Sequence, residues 1–313
     1  MSSRFGDLRH ARSPARIARG SGVRRTLKRL GPYLLLIPAF VTIGTFTYRP
    51  VFYSLYLSLM DWQLGAGPKV LVGFDNYLRL FRAPEFWNAL RNTFLYAGVV
   101  GGVSITLGLV LALAAHRLER FQAVYQTVFF LPVASTMAAM AVVWSFMFDA
   151  NIGVVNAALS SLGFSPVDWL NDPSTALAAV MTVGIWGSTG YAMVLFLAGL
   201  TAIPKELHEA AAIDGASATD QFRFITWPLL TPTTLFVLVV MTIRSMEAFD
   251  GVKILTDGGP LGSTQVLSHL LYQVGFQYFD TGYAASLAVV FFVLLVALAL
   301  LQVRVLERRV HYQ

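Results

Sequence analysis

"TALAAVMTVGIWGSTGYAMVLFLAGLTAI", residues 175–203, contains no acid, no base and no proline. Such a run has no charged face to present to water, and a helix of that length spans the ~30 Å hydrocarbon layer of a bilayer. Directly after it comes "PKELHEAAAIDGASATDQFRFITWPLL", residues 204–230, which is acidic, alanine-rich and broken by glycine. Two questions follow: how many runs like the first the chain contains, and why it is interrupted by the second.

The 313-residue chain is 56% hydrophobic and only 13% charged, with a mean hydropathy of +0.62. Comparable apolar runs at about residues 30–48, 93–115, 123–148, 224–243 and 281–303 join 175–203 to make six expected spans. The fold class that follows is an all-α polytopic membrane protein, with a basic tail over 1–29 and a transmembrane domain over 30–313. Cysteine is absent, which excludes disulfides and thiolate metal sites.

Positive charge sets the orientation. Arg4, Arg9, Arg24, Lys28 and their neighbours stand before the first run, Arg117 and Arg120 follow the second, and Arg304, Arg308 and Arg309 follow the sixth. The connection after the third run carries Asp149, Asp168 and Asp172 and no base. Bases stay in the cytoplasm, so both termini and residues 204–228 are expected inside. The net charge of +6 sits largely beside that first span, where it is a topology signal next to anionic lipid and not a nucleic-acid surface. No small-residue cleavage site ends the first run, so the span is expected to remain attached.

Residues 204–228 have their own local logic. Pro204 suits a first helical position, and Glu206 and Glu209 favour the positive end of a helix dipole. Leu207, Ala210, Ala211 and Ile213 give a modest apolar face, Gly215 is suited to a left-handed helix end, and Ser217 with Asp220 forms a capping-box pattern for a second short helix. From these features alone the segment could equally be a helix resting on lipid headgroups.

"EAAAIDGASATDQFRFITWPLL" resembles the EAA loop of bacterial ABC-importer permeases. Glu209, Ala210, Ala211, Asp214, Gly215, Ala216, Ile225 and Pro228 match in register, and Trp227 stands where the family usually has leucine. "LPVASTMAAMAVVWSFMFDANIGVVNAAL" is similar to the family's third span, with Pro132, Trp144, Gly153 and Asn156 in place. "FDGVKILTDGGPLGST" and "LERRVHY" resemble the carbohydrate branch of maltose, multiple-sugar and glycerol-3-phosphate type, and its first permease subunit. The resemblance implies a coupling helix between spans four and five, with Glu206, Glu209, Ala210, Ala211, Asp214, Gly215 and Ala216 contacting an ATPase. It implies a second permease, an ATP-binding-cassette ATPase dimer, an extracytoplasmic solute-binding protein and a bacterial inner-membrane location. ATP and magnesium would belong to the ATPase.

The chain itself has no Gly-x-x-x-x-Gly-Lys-Ser/Thr run, so no P-loop and no expected bound cofactor. "WGSTGY" is not a Gly-x-Ser-x-Gly elbow, and His10, His116, His208, His269 and His311 fall outside the spans or at their ends, so a serine hydrolase lacks its base. No metal site is expected.

Ionisable groups within spans are informative because they are costly. Arg244 and Glu247, three apart near the outer end of span five, are spaced to pair or to snorkel. The alternative places Arg244, Ser245 and Glu247 on a translocation cavity with Tyr191, where the resemblance puts the sugar site, and lets Trp186 stack on a sugar ring, although tryptophan in a span also serves packing. Residues 264–279 are expected as an outer helix with a Val266, Leu270, Val274 and Tyr278 stripe, lying flat on the leaflet or against a partner. The competing class is a self-sufficient secondary carrier, which commonly carries internal repeats and midplane charges. This sequence has no clear halves.

Overall fold

In the computed structural model the described residues are 36–118 and 121–307. The basic tail, residues 30–35 of the first expected span, Arg120, and the terminus from Arg308 onward lie outside them. The chain divides into two units, Met1–Tyr53 and Ser54–Gln313. In the first, residues 36–43 are helical and run into a π-helical turn, Gly44–Tyr48. Helix α1, Arg49–Leu57, comes next in the chain.

The second unit opens with an antiparallel hairpin, β1 (Met60–Gln63) and β2 (Ala66–Leu71), pairing Met60 with Leu71 and Gln63 with Ala66. This hairpin is an addition to the all-α expectation. Strand-forming Trp62, Val70 and Leu71 flank Gly65, whose φ of 85° serves the turn. Helix α2 (Asp75–Arg82) leads to α3 (Pro84–His116), which contains a π turn at Ala97–Gly101. Helix α3 starts a full two turns before residue 93, because Pro84 and Glu85 suit a helix start and Phe86 and Ala89 are buried.

The third expected span is not one straight helix. It is α4 (Gln122–Ala134) and α5 (Met137–Met147), bent by 93°. Pro132 withholds an N–H from α4, Ser135 is extended, and the Thr136 side chain accepts from Ala139 N to start α5 afresh. Helix α6 (Val154–Ser161) lies in the following connection, and α7 (Ala176–Thr201) is the uncharged run quoted above. After α8 (Lys205–Ile213) and α9 (Ala218–Gln221), a π turn at Phe222–Thr226 leads to α10 (Trp227–Met246) and α11 (Phe249–Leu255). Helix α12 (Leu267–Tyr272), a π turn at Gln273–Gln277 and α13 (Thr281–Glu307) complete the described chain.

Among the described residues four helical runs are long and apolar enough to cross a membrane: Pro84–His116, Ala176–Thr201, Ala218–Leu255 and Thr281–Val305. The α4–α5 pair makes a fifth when its halves are taken together. Three apolar clusters hold the second unit. Leu80, Phe86, Met246, Leu267 and Leu287 form one, Tyr96, Val100, Val180 and Val252 the next, and Ala112, Ala192, Phe196, Leu230 and Met241 the third. The stripe foreseen for residues 264–279 is real but faces inward. Val266, Leu270 and Val274 are buried in these clusters while Tyr278 is exposed, so the stripe packs into the core along most of its length and is open only at its end.

Helix α7 is the central element, and its glycines set how closely its neighbours approach. A Cβ on Gly190 would collide with the Phe129 carbonyl of α4, and one on Gly108 of α3 would lie 2.6 Å from Ala192 Cβ. Small residues at such crossings let backbones come together where lipid supplies no hydrophobic drive.

Candidate functional site

The loop between α7 and α10 is built to be stiff. Helix α8 starts at Lys205 with Pro204 as its N-cap, one residue earlier than the first-turn position expected for the proline. At its end Gly215 has φ 80°, Gly215 N–H donates to Ala212 O at 3.1 Å and Ala216 N–H to Ala211 O at 2.9 Å. This pair of bonds is the Schellman arrangement, which satisfies the last helical carbonyls. Helix α9 begins with the reciprocal Ser217–Asp220 capping box expected from the sequence. The Gln221 side chain donates to Ala216 O and its Oε1 lies 3.2 Å from His208 Nδ1, tying the two helices together.

What this loop displays is an exposed face. Glu206, Glu209, Ala210 and Asp214 are exposed, Ala211 and Ala216 are half-buried, and Ile213 is 87% exposed.

Of the expected membrane-level residues, two come together. The Arg244 guanidinium carbon of α10 lies 4.6 Å from the centre of the Tyr191 ring of α7. Along α7, Tyr191 is about 22 Å from Ala176 and about 15 Å from Thr201, so the contact falls in the middle stretch of the helix. A helical arginine projects toward its own N-terminus, which carries Arg244 inward from the end of α10. This contact joins two of the residues that the cavity alternative groups together.

The other three residues are placed elsewhere. Ser245 is 4% exposed and turned toward α3, where a Cβ on Gly101 would meet its Oγ at 3.4 Å, and that Oγ has no hydrogen-bond partner among the described residues. Glu247 caps α10 outside helical geometry, and it forms no ion pair with Arg244 among the described residues. Trp186, five residues before Tyr191, points about 140° away around α7 and packs edge-on against Trp144, ring centres 5.7 Å apart. At 37% exposure it still keeps one open side.

At the N-terminal ends of α3 and α13, a cleft of about 950 Å³ is lined by Arg79, Glu85, Asn88, Gln273 and Tyr283, among others. Arg79 pairs with Asp280 at 2.8 Å and stacks over Tyr283. The rim, residues 256–265, is clamped by Asn92, whose amide donates to the carbonyls of Ser263 and Gln265 at 3.0 Å each. Sequence reasoning missed this clamp, since an asparagine in a helix carries no signal of a partner far along the chain. Asn156, matched in the third-span resemblance, has a parallel role. Its amide donates to Val167 O at 2.8 Å, and its Oδ1 accepts from Val167 N and Trp169 Nε1. Asn156→Ala leaves these half-buried groups without their partner and is expected to cost about 1 kcal/mol, read as a lower thermal midpoint of the purified protein.

His269, buried beneath the same rim, lies 3.0 Å from Asp257 through Nε2, and Lys253 Nζ sits 2.6 Å from the same carboxylate. The hydrogen bond from Lys253 holds Asp257 below the usual carboxylate range, with a further contribution from His269. Burial lowers His269 from its ordinary 6.5. Both groups bind protons more readily when the rim opens, so both contribute stability that is lost as pH falls, first for His269 below about 6.5 and later for Asp257. Hydrogen exchange of residues 256–269 should therefore quicken between pH 7 and pH 5, and His269→Gln should flatten that dependence.

A helical, multi-pass membrane protein with an exposed, doubly capped loop between two of its apolar helices defines a class, and comparison with known proteins places it. The model of the family described as "Binding-protein-dependent transport system inner membrane component" matches residues 104–312. The chain is 38% identical to the probable ABC transporter permease protein YurN of Bacillus subtilis, covering 87% of this chain and 94% of that one. It is 35% identical to the sn-glycerol-3-phosphate transport system permease protein UgpA of Agrobacterium fabrum, covering 90% and 96%. A solved bacterial ABC transporter for import of the acidic polysaccharide alginate shares the fold, with TM-score 0.80 at 24% identity over 91% of this chain and 98% of that one. The chain belongs to the family of binding-protein-dependent transport system inner membrane components. It is an ABC transporter permease, a multi-pass protein of the inner membrane.

Proposed function

We propose that this permease imports a carbohydrate or a glycerol-3-phosphate-like polyol, as one half of a heterodimer with a second permease. Six spans and cytoplasmic termini complete its topology, and residues 204–228 lie inside. The cargo arrives on an extracytoplasmic solute-binding protein, and an ATPase dimer drives alternating access. This chain binds neither ATP nor magnesium and carries out no reaction of its own. The names of relatives that transport sn-glycerol-3-phosphate and alginate support the cargo class.

The observation that carries the mechanism is the α8–α9 loop. Glu206, Glu209, Ala210, Ala211, Asp214, Gly215 and Ala216 form the face that docks on the ATPase, and the hydrogen-bonded connection from Ala211 to Ser217 keeps that face in a fixed relation to α9 and the start of α10. Nucleotide can bias the spans only through contacts that differ between its bound and free states, and a floppy loop would transmit none of that difference. Tyr191 and Arg244 meet the cargo at membrane depth, while Trp186 offers its open side at the margin of that surface. Ser245 and Glu247 support the site from the flanks.

The test is the energy source. In proteoliposomes holding the full complex, uptake should require internal ATP and survive collapse of ion gradients. Uptake that persists without ATP and stops when gradients collapse would make the chain a secondary carrier.

A further inference from the structure

We infer that the cargo carries an anionic group, phosphate, sulfonate or carboxylate, and that Arg244 is the residue that selects it. The inference rests on the proposed cargo surface at Tyr191 and goes on to name the charge of what binds there. A guanidinium inside a helical run long and apolar enough to span, as Arg244 is within Ala218–Leu255, is costly unless something answers its charge. Among the described residues nothing does. The ion pairs formed are Arg79–Asp280, Lys253–Asp257 and His269–Asp257, and Glu247, three residues from Arg244, leaves it alone. Arg244 is exposed on the surface that this chain leaves open.

The Tyr191 contact adds the geometry. With its carbon 4.6 Å from the ring centre, the guanidinium is held over the ring face. A cation so placed is attracted by the ring face and spends none of its N–H donors on a hydrogen-bond acceptor there. An arginine steadied by a ring contact that leaves its N–H donors unspent keeps them for two oxygens of a phosphate or carboxylate together. A snorkelling arginine at a helix end would gain its dipole interaction without any such contact. A neutral sugar would leave this charge unanswered.

The whole transporter, with both permeases and its ATPases, is purified into nanodiscs without binding protein, so that cargo selection there is not set by another chain. Equilibrium binding is measured for matched probes, glycerol against sn-glycerol-3-phosphate and glucose against glucuronate, with wild type, Arg244→Gln, Arg244→Lys, Tyr191→Phe and Tyr191→Ala. In at least one pair, wild type should bind the anion at least tenfold tighter than its neutral partner. Arg244→Gln should abolish that preference, Arg244→Lys should retain part of it because the charge stays while the fork goes, and Tyr191→Phe should preserve it. No anion preference in either pair, including no binding at all, overturns the inference, as does a preference that Arg244→Gln leaves intact. Loss of the second permease in Arg244→Gln with anion preference unchanged would assign Arg244 to a partner carboxylate instead. If Tyr191→Ala changes the binding of neither member of any pair, it is the cargo surface itself that is misplaced.

Discussion

Gly215→Val is expected to uncouple the transporter, with uptake falling at least tenfold while ATP hydrolysis continues. The position has φ 80°, and a Cβ there would touch nothing within 4 Å, so the whole penalty is conformational. A β-branched residue in the left-handed region costs on the order of 1–3 kcal/mol, comparable with the hydrogen bonds that the turn holds. The chain escapes by opening the turn, which releases the Gly215 and Ala216 N–H groups from α8 and lets α8 pivot against α9. The order of severity tests the cause. Asparagine tolerates left-handed backbone best among side-chain-bearing residues, so Gly215→Asn should retain more uptake than Gly215→Ala, and Ala more than Val. Equal loss across the three would mean that the side chain blocks docking and that backbone conformation is irrelevant. Parallel assays of uptake and ATPase activity in the reconstituted complex separate coupling from assembly.

The second large effect is expected at Gly190. Even one methyl group there meets the Phe129 carbonyl, and that obstacle is backbone of α4, which cannot swing aside as a side-chain tip would. Gly190→Ala should destabilise the packing of α4 against α7 by about 1–3 kcal/mol, and Gly190→Leu should abolish accumulation of the folded protein. Gly102→Ala provides the contrast. It lies in helical geometry with nothing within 4 Å of an added Cβ, so it should be neutral or slightly stabilising, by up to about 1 kcal/mol. Thermal midpoints of the two alanine variants measured in one detergent check the pair. Similar values would show that the close approach at Phe129 relaxes freely.

Local signals were the ones legible in the sequence. The uncharged length of α7 announces a span regardless of what surrounds it, and the Gly215 turn and the Ser217–Asp220 cap are decided within a few residues of chain. The third span misled because its break hides inside an apolar run: Pro132 is tolerated in many membrane helices, and only the extended Ser135 and the Thr136 cap turn a kink into a 93° bend. The 264–279 stripe had the correct period and the wrong surroundings, since a periodicity cannot distinguish lipid from the core formed by Leu80, Phe86 and Leu287. At the membrane-level site, residue type identified Tyr191 and Arg244, but their contact joins different helices. Spacing along α10 alone suggested an Arg244–Glu247 pair, which the end of the helix at Met246 prevents.

The central claim is that the α8–α9 loop is gripped by the ATPase, and the absence of native cysteine makes it directly measurable. A single Ala210→Cys variant places one thiol on the exposed face of α8. Maleimide should label it quickly in the permease pair alone and at least tenfold more slowly once the ATPase subunits are bound, whereas equal labelling rates in the two states would contradict the account.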